Sequence, residues 1–241
     1  AVGLQIARLR RLMAATAFAP LPIGRARVAL EDSRLETTYT KLAIDKGSVD
    51  AVVTSPPYAV ALPYIDTDRL SILILDGLSS SQRRPIEHSL TGSREISTSQ
   101  RLGIERDIVG DESPYGRSPG TTSAATFVAE LYERVSRAEV GFRRRNMPAL
   151  VSRYLADMEM VVSNMASVLR AGGNMIMVIG DSRMTLPDGD VAIPSTDLVA
   201  SIALANGFVL TGDIDVAVTR NAPLHARNAI TRNRALVFTR D

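Results

Sequence analysis

Apolar positions along the chain fall into two periods, and the alternation between them predicts the elements. Leu4, Leu9, Leu12, Met13 and Ala17 follow helical spacing and predict a helix over 1–19, closed by Pro20 and Pro22. Residues 27–31 (RVALE) read as a short strand, and 35–46 as a helix that ends at Gly47. Residues 49–54 (VDAVVT) are rich in β-branched side chains and predict a buried strand, broken sharply at Ser55-Pro56-Pro57-Tyr58. A helix is expected over 68–75. Residues 126–140 and 148–169 predict two more. In the second, Val151, Leu155, Met158, Val162, Met165 and Leu169 form an apolar stripe that Gly172-Gly173 stops. Residues 174–179 (NMIMVI) predict a strand, 194–205 a helix, and 208–218 and 234–240 two further strands.

Strands alternating with helices predict an α/β fold with a mainly parallel sheet. The last two strands have no helix between them and should pair antiparallel at one edge. Residues 79–123 turn to Ser, Thr, Gly, Arg and Pro with little periodicity, and predict an irregular segment: a mobile loop or a small recognition insert in a single domain spanning 1–241.

Composition narrows the chemistry. The 241 residues include no cysteine, which removes disulfides, thiolate metal sites and a cysteine nucleophile. Only His88 and His225 are histidines, so no multi-histidine metal site is expected and the metal expectation is none. No run of eighteen apolar residues occurs, so no membrane-spanning helix is predicted. The helix expected at the start carries Arg8, Arg10 and Arg11, unlike a secretory signal, and a cytoplasmic location is expected. Net charge is only +2, yet Lys41 and Lys46 are the sole lysines against 26 arginines. That skew fits either a GC-rich coding sequence or phosphate contacts, since the guanidinium fork matches phosphate oxygens.

The strongest chemical signal lies at the end of the 49–54 strand, where α/β sheets carry their sites. Pro56 and Pro57 hold Ser55 and Pro56 out of the helical region and make a stiff, extended elbow. The Ser55 hydroxyl and the Pro56 carbonyl then stand as two acceptors for one amino group, with the Tyr58 ring as a flat surface beyond. Such an arrangement suits a planar heterocycle bearing an exocyclic amine.

The run from Asp50 to Tyr58 (DAVVTSPPY) resembles the catalytic motif of the amino-methylating DNA methyltransferases, in the Ser-Pro-Pro-Tyr form associated with N4-cytosine methylation. Residues 64–78 resemble the helix that follows this motif, 168–182 the next helix, Gly-Gly turn and strand, and 207–208 with 234–240 the family's last hairpin. Residues 31–34 (EDSR) resemble the acidic turn before the catalytic strand.

The resemblance implies a Rossmann-like sheet and direct methyl transfer from S-adenosyl-L-methionine to the amine of a flipped DNA base. Ser55, Pro56, Pro57 and Tyr58 are the implied catalytic residues, and Asp32, Ser33 and Thr54 the implied cofactor contacts. The family's glycine-rich cofactor turn is not found; Gly3 to Gln5 is at most a remnant of the segment after it. A fragment, a permuted order, or a partner chain supplying that turn is therefore expected. Adenine N6 or an RNA base is an alternative target, and a non-catalytic nucleic-acid-binding subunit a different class of alternative. Asp181 reads as a turn residue, and Asp66, Asp68 and Arg69 as helix-start and ion-pair residues. Arg83-Arg84 and Arg143-Arg144-Arg145 read as solvated faces that become phosphate contacts if DNA is the substrate.

Overall fold

The computed structural model describes residues 26–59, 79–110, 119–216 and 230–241. The helices expected over 1–19 and 68–75 lie outside them. Chain contacts divide the molecule into two units, Ala1–Glu31 and Asp32–Asp241. In the first, residues 26–31 form no strand, against the expectation for 27–31. Val28 and Leu30 are 99% and 102% exposed, so these apolar side chains gain nothing from an extended pairing.

The second unit runs α1 (Glu36–Lys41), β1 (Val49–Thr54), α2 (Ser80–Ser89), α3 (Thr98–Val109), α4 (Pro119–Arg137), α5 (Phe142–Arg145), α6 (Met147–Val168), β2 (Leu169–Leu186), β3 (Gly189–Ile193), α7 (Ser195–Ala205), β4 (Phe208–Val216) and β5 (Ile230–Arg240). The fold is mixed α/β. The sheet order is β1-β2-β5-β4, with β3 turned back on the far end of β2. β1 pairs with β2 in parallel, Thr54 opposite Met177. The β2·β3, β2·β5 and β4·β5 pairs are antiparallel.

A mainly parallel sheet is thus not what the described residues form. The strand expected at 27–31 would have supplied a further parallel neighbour and is not there. β2 also outruns its parallel partner by enough to make a hairpin with β3. The closing β4–β5 pair is antiparallel as expected, and β5 lies between β4 and β2.

β1 has only β2 as a neighbour among the described residues, so it is not the buried strand that its composition suggested. Val53 is 73% exposed. β-branched residues favour the extended backbone whether or not a second neighbour covers them.

One face of the sheet holds the core. Met175, Met177 and Ile179 of β2 and Leu236 and Phe238 of β5 are all fully buried. They alternate in each strand, as the pleat requires. α6 covers them with Val151, Tyr154, Leu155, Met158 and Val162, and α7 adds Val199 and Ile202. α4 packs on α6 and α7 in turn. Its stripe of Ala124, Val128, Leu131 and Val135 repeats at four, three and four residues.

α1 is shorter than the predicted 35–46 helix. Ala43 adopts a left-handed φ of 53°, and the Ile44 amide bonds back to the Tyr39 carbonyl, closing the helix before Gly47. The segment 79–123 is also more regular than expected. α2 and α3 each open on a capping box, Ser79 with Gln82 and Ser97 with Gln100, in which side chain and backbone satisfy each other's free donors. Those two Ser-x-x-Gln patterns were the readable signal, masked by polar composition.

Leu155 is fully buried where α6 meets the sheet, whereas Met160 on the same helix is 45% exposed. Leu155→Ala is expected to cost about 2–5 kcal/mol. Met160→Ala should stay within about 0.5 kcal/mol. Urea unfolding followed by circular dichroism measures both.

Candidate functional site

The elbow leaves β1 at the end where its parallel partner carries Met177, and three backbone segments then converge on it. Ser55 is exposed, Pro56 is buried, Pro57 and Tyr58 are half-buried, and Ala59 is buried. The Tyr58 ring lies directly against β2 at Gly180. A Cβ there would stand 2.7 Å from Tyr58 Cε2, so any side chain at 180 would push the ring away. Two residues on, the buried Ser182 hydroxyl donates to the Ala59 carbonyl at 3.3 Å. On the other side Gly92, at a φ of 75°, brings its backbone against the loop; a Cβ there would meet Pro57 Cβ at 3.0 Å and the Tyr58 carbonyl at 3.2 Å.

Burial pushes the Tyr58 phenol above its ordinary value, and a hydrogen bond with the Ser55 hydroxyl opposes that shift. Ser55 stands at the exposed end of the elbow and Tyr58 at its half-buried end. Thr54, the last residue of β1, is half-buried opposite Met177. Asn233, paired with Gly180 across β2 and β5, was not visible in the sequence as a site residue. Its Oδ1 is buried with no hydrogen-bond partner, and would lie 2.5 Å from a Cβ at Gly180. Only strand register brings it there.

The turn at Asp32 is held differently. Arg34 grips the Asp32 carboxylate with its fork, Nε to Oδ1 at 3.0 Å and Nη2 to Oδ2 at 2.7 Å, while its backbone amide also donates to Oδ1. These bonds hold the Asp32 carboxyl below the usual carboxylate range despite partial burial. The Ser33 carbonyl accepts from Tyr39 and from Asn164 of α6, each at 3.1 Å. Arg34 also reaches α6, donating from Nη1 to Asp157 Oδ1 at 3.1 Å.

Asp157 links this turn to the elbow. Its second oxygen accepts from the Thr91 hydroxyl at 3.0 Å, next to the Gly92 that touches Pro57 and Tyr58. One turn earlier on α6, Arg153 donates to the Ser93 and Glu95 carbonyls at 2.8 and 3.0 Å. Burial lowers its pKa, with Asp157 opposing that effect. α6 thereby clamps residues 91–95 behind the elbow.

Asp181 is a structural residue. Its Oδ1 accepts from the Thr196 amide at 2.9 Å and hydroxyl at 2.6 Å, satisfying a free donor in the first turn of α7. Arg234 of β5 braces the same turn through Asp197 and is also paired with Asp213 of β4. His88 is half-buried on α2. Gly3, Gln5, Asp66, Asp68, Arg69 and His225 lie outside the described residues, as do the side chains of Arg83 and Arg84. Among the described residues no helix is long and apolar enough to cross a membrane, and no group of three His, Asp or Glu is placed to hold a metal.

No family model matches the chain, and no curated protein matches it in sequence. Its fold is similar to solved structures of a candidate DNA modification methylase from Thermus thermophilus. One has 14% identity and a TM-score of 0.40, covering 90% of this chain and 54% of that one. Another, complexed with S-adenosyl-L-methionine, has 14% identity and a TM-score of 0.38, covering 88% and 54%. The chain spans about half the length of these structures.

A carboxylate held below its unfolded pKa stabilises the fold above that unfolded value and loses its contribution as pH falls through the folded one. For Asp32 that window lies below the ordinary value of about 3.9. The unfolding midpoint of the unaltered chain should therefore fall as pH drops from about 5 to about 2, and Asp32→Asn should flatten that slope. Urea titrations across this range measure it.

Proposed function

We propose that the chain belongs to an S-adenosyl-L-methionine-dependent DNA methyltransferase acting on an exocyclic amine, and that the amine is N4 of cytosine. One observation carries the reading. A Ser-Pro-Pro-Tyr elbow stands at the end of β1, its Ser55 exposed, its Pro56 buried and its tyrosine ring seated on Gly180.

On this reading the chemistry at the base belongs to Ser55, Pro56, Pro57 and Tyr58. An aromatic amine is a poor nucleophile because its lone pair is delocalised into the ring. Hydrogen bonds from its two N–H groups to Ser55 Oγ and the Pro56 carbonyl pull the nitrogen towards a tetrahedral shape and localise that pair. The two prolines fix both acceptors before the base arrives, so positioning supplies much of the acceleration. Tyr58 stacks on the extruded base. Its seat on Gly180 and the clamp at 91–95 keep the ring from swinging with its ligand.

S-adenosyl-L-methionine is the donor that this reading requires, its sulfonium supplying the methyl group. The described residues do not by themselves fit it. Both Asp32 oxygens already accept from Arg34, leaving that carboxylate little capacity for a ribose hydroxyl. Ser33 and Thr54 remain proposed contacts, together with a glycine-rich segment from elsewhere in the protein or from a partner chain. That same saturation favours a second reading, a nucleic-acid-binding subunit without catalysis. We assign residues 79–123 to the recognition part of the domain.

Mass spectrometry of nucleosides, after duplex DNA is incubated with the protein and S-adenosyl-L-methionine, tests the assignment. N4-methylcytosine is expected, and Ser55→Ala should lower its rate by about a hundredfold, the scale of one lost pre-positioned hydrogen bond. N6-methyladenine would move the target base. Unmodified DNA from a protein that still binds it would favour the non-catalytic subunit.

A further inference from the structure

Between α4 and α6 the chain makes a four-residue helical corner, α5, that places an aromatic ring and three cations together in solvent. Phe142 is 71% exposed. The Arg143 guanidinium sits over its ring, 5.8 Å from the centroid. Arg143, Arg144 and Arg145 are all exposed, and none pairs with a carboxylate among the described residues. A lone exposed phenylalanine is ordinary, and so is a run of surface arginines. Their conjunction matters because of where the fold puts it.

α6 begins two residues after this corner and ends at Val168, immediately before β2. β2 starts level with Val49 and reaches the level of Thr54 at Met177. Twenty-two helical residues cover about 33 Å. The five steps of β1 from Val49 to Thr54, which this run of β2 flanks, cover about 17 Å, the register shift after Val49 taking up the three extra residues of β2. Running back along the sheet, α6 therefore brings its first turn past the end of β1, to the side where the elbow stands. The contacts agree: Arg153, six residues into α6, holds the carbonyls of Ser93 and Glu95, and nearby Gly92 touches Pro57 and Tyr58. Met147, where α6 starts, lies about 9 Å further along the helix axis than Arg153, and the corner directly precedes it, at the end of the sheet from which the elbow leaves.

We infer that Phe142 to Arg145 is a second nucleic-acid contact on the rim of the elbow, the three guanidinium groups meeting backbone phosphates and the Phe142 ring stacking on an unpaired base. The choice of ligand rests on the reading above. Three unpaired guanidinium groups are complementary to a phosphodiester chain, which presents charge at regular intervals without an acidic residue's need for a fixed partner. The ring has a guanidinium on one side only, and the chemistry of a flat apolar surface among cations is that of the stacking platforms that bind single strands. A four-residue helix closed by the buried Pro148, Ala149 and Leu150 of α6 gives these side chains a firm base.

The test is fluorescence anisotropy of the full chain with a labelled duplex and with the same strand alone, across a salt series. Replacing Arg143, Arg144 and Arg145 together by alanine should reduce the slope of log affinity against log salt by about 2–3 on the duplex. Replacing all three by lysine should restore most of it. Phe142→Ala should weaken single-strand binding about tenfold while leaving the slope unchanged. An unchanged slope in the triple alanine variant, or unchanged single-strand affinity in Phe142→Ala, overturns the inference. Methyl transfer is measured on the same samples. Binding through the corner without methylation would defeat the proposed reaction and leave this contact standing. Methylation with both corner variants binding as the unaltered chain would defeat the contact alone.

Discussion

A buried carboxylate holds the rim of this molecule together. Asp157 is only 9% exposed, in the middle of the helix that covers the core, yet each of its oxygens reaches a different part of the chain. One takes Arg34 from the turn before α1, and the other takes Thr91 from the loop behind the elbow. A charge removed from water costs several kcal/mol unless partners replace its hydration. Here the partners come from segments far apart in sequence, so the cost of leaving Asp157 unmatched falls on any arrangement in which either segment drifts. The carboxylate thus converts the rigidity of α6 into rigidity of two loops.

The elbow itself is fixed more by what is missing than by what is bonded. Gly180 and Gly92 offer no side chain where Tyr58 and Pro57 lie, and the prolines leave Ser55 and Pro56 few conformations. A loop so confined loses little entropy on meeting a ligand, which is the condition for using binding energy on reactivity. β1 supports this from the edge of the described sheet, and Ser55 stays open to solvent beyond it. Saturation of Asp32 by Arg34 is the counterpart: that turn is built to hold its shape, and its carboxylate is already committed.

Much of this was legible in the residues. Strand β1 appears over the residues its β-branched run suggested, the apolar stripe of α6 faces the core, and the β4–β5 pair is antiparallel, as the lack of a helical pattern between the two runs suggested. The errors have separate physical sources. Val28 and Leu30 carry strand propensity, but pairing depends on a neighbour, and propensity does not supply one. The polar stretch 79–123 looked irregular because composition was weighed over its two capping boxes. β3 escaped notice because its five residues pair, among the described residues, with the overhanging end of β2, and no local pattern announces that overhang.

The sequence by itself determined the local chemistry: where the long helix before β2 runs, where a proline pair stiffens the chain, and which residues could present acceptors to an amine. These follow from forces acting within a few residues. Tertiary structure alone decided that Gly180 would be the floor under Tyr58, that Asn233 would stand beside it, and that Asp157 would bridge Arg34 to Thr91. Each of those depends on strand register and helix length accumulated over long stretches of chain, and no short-range preference encodes such a sum.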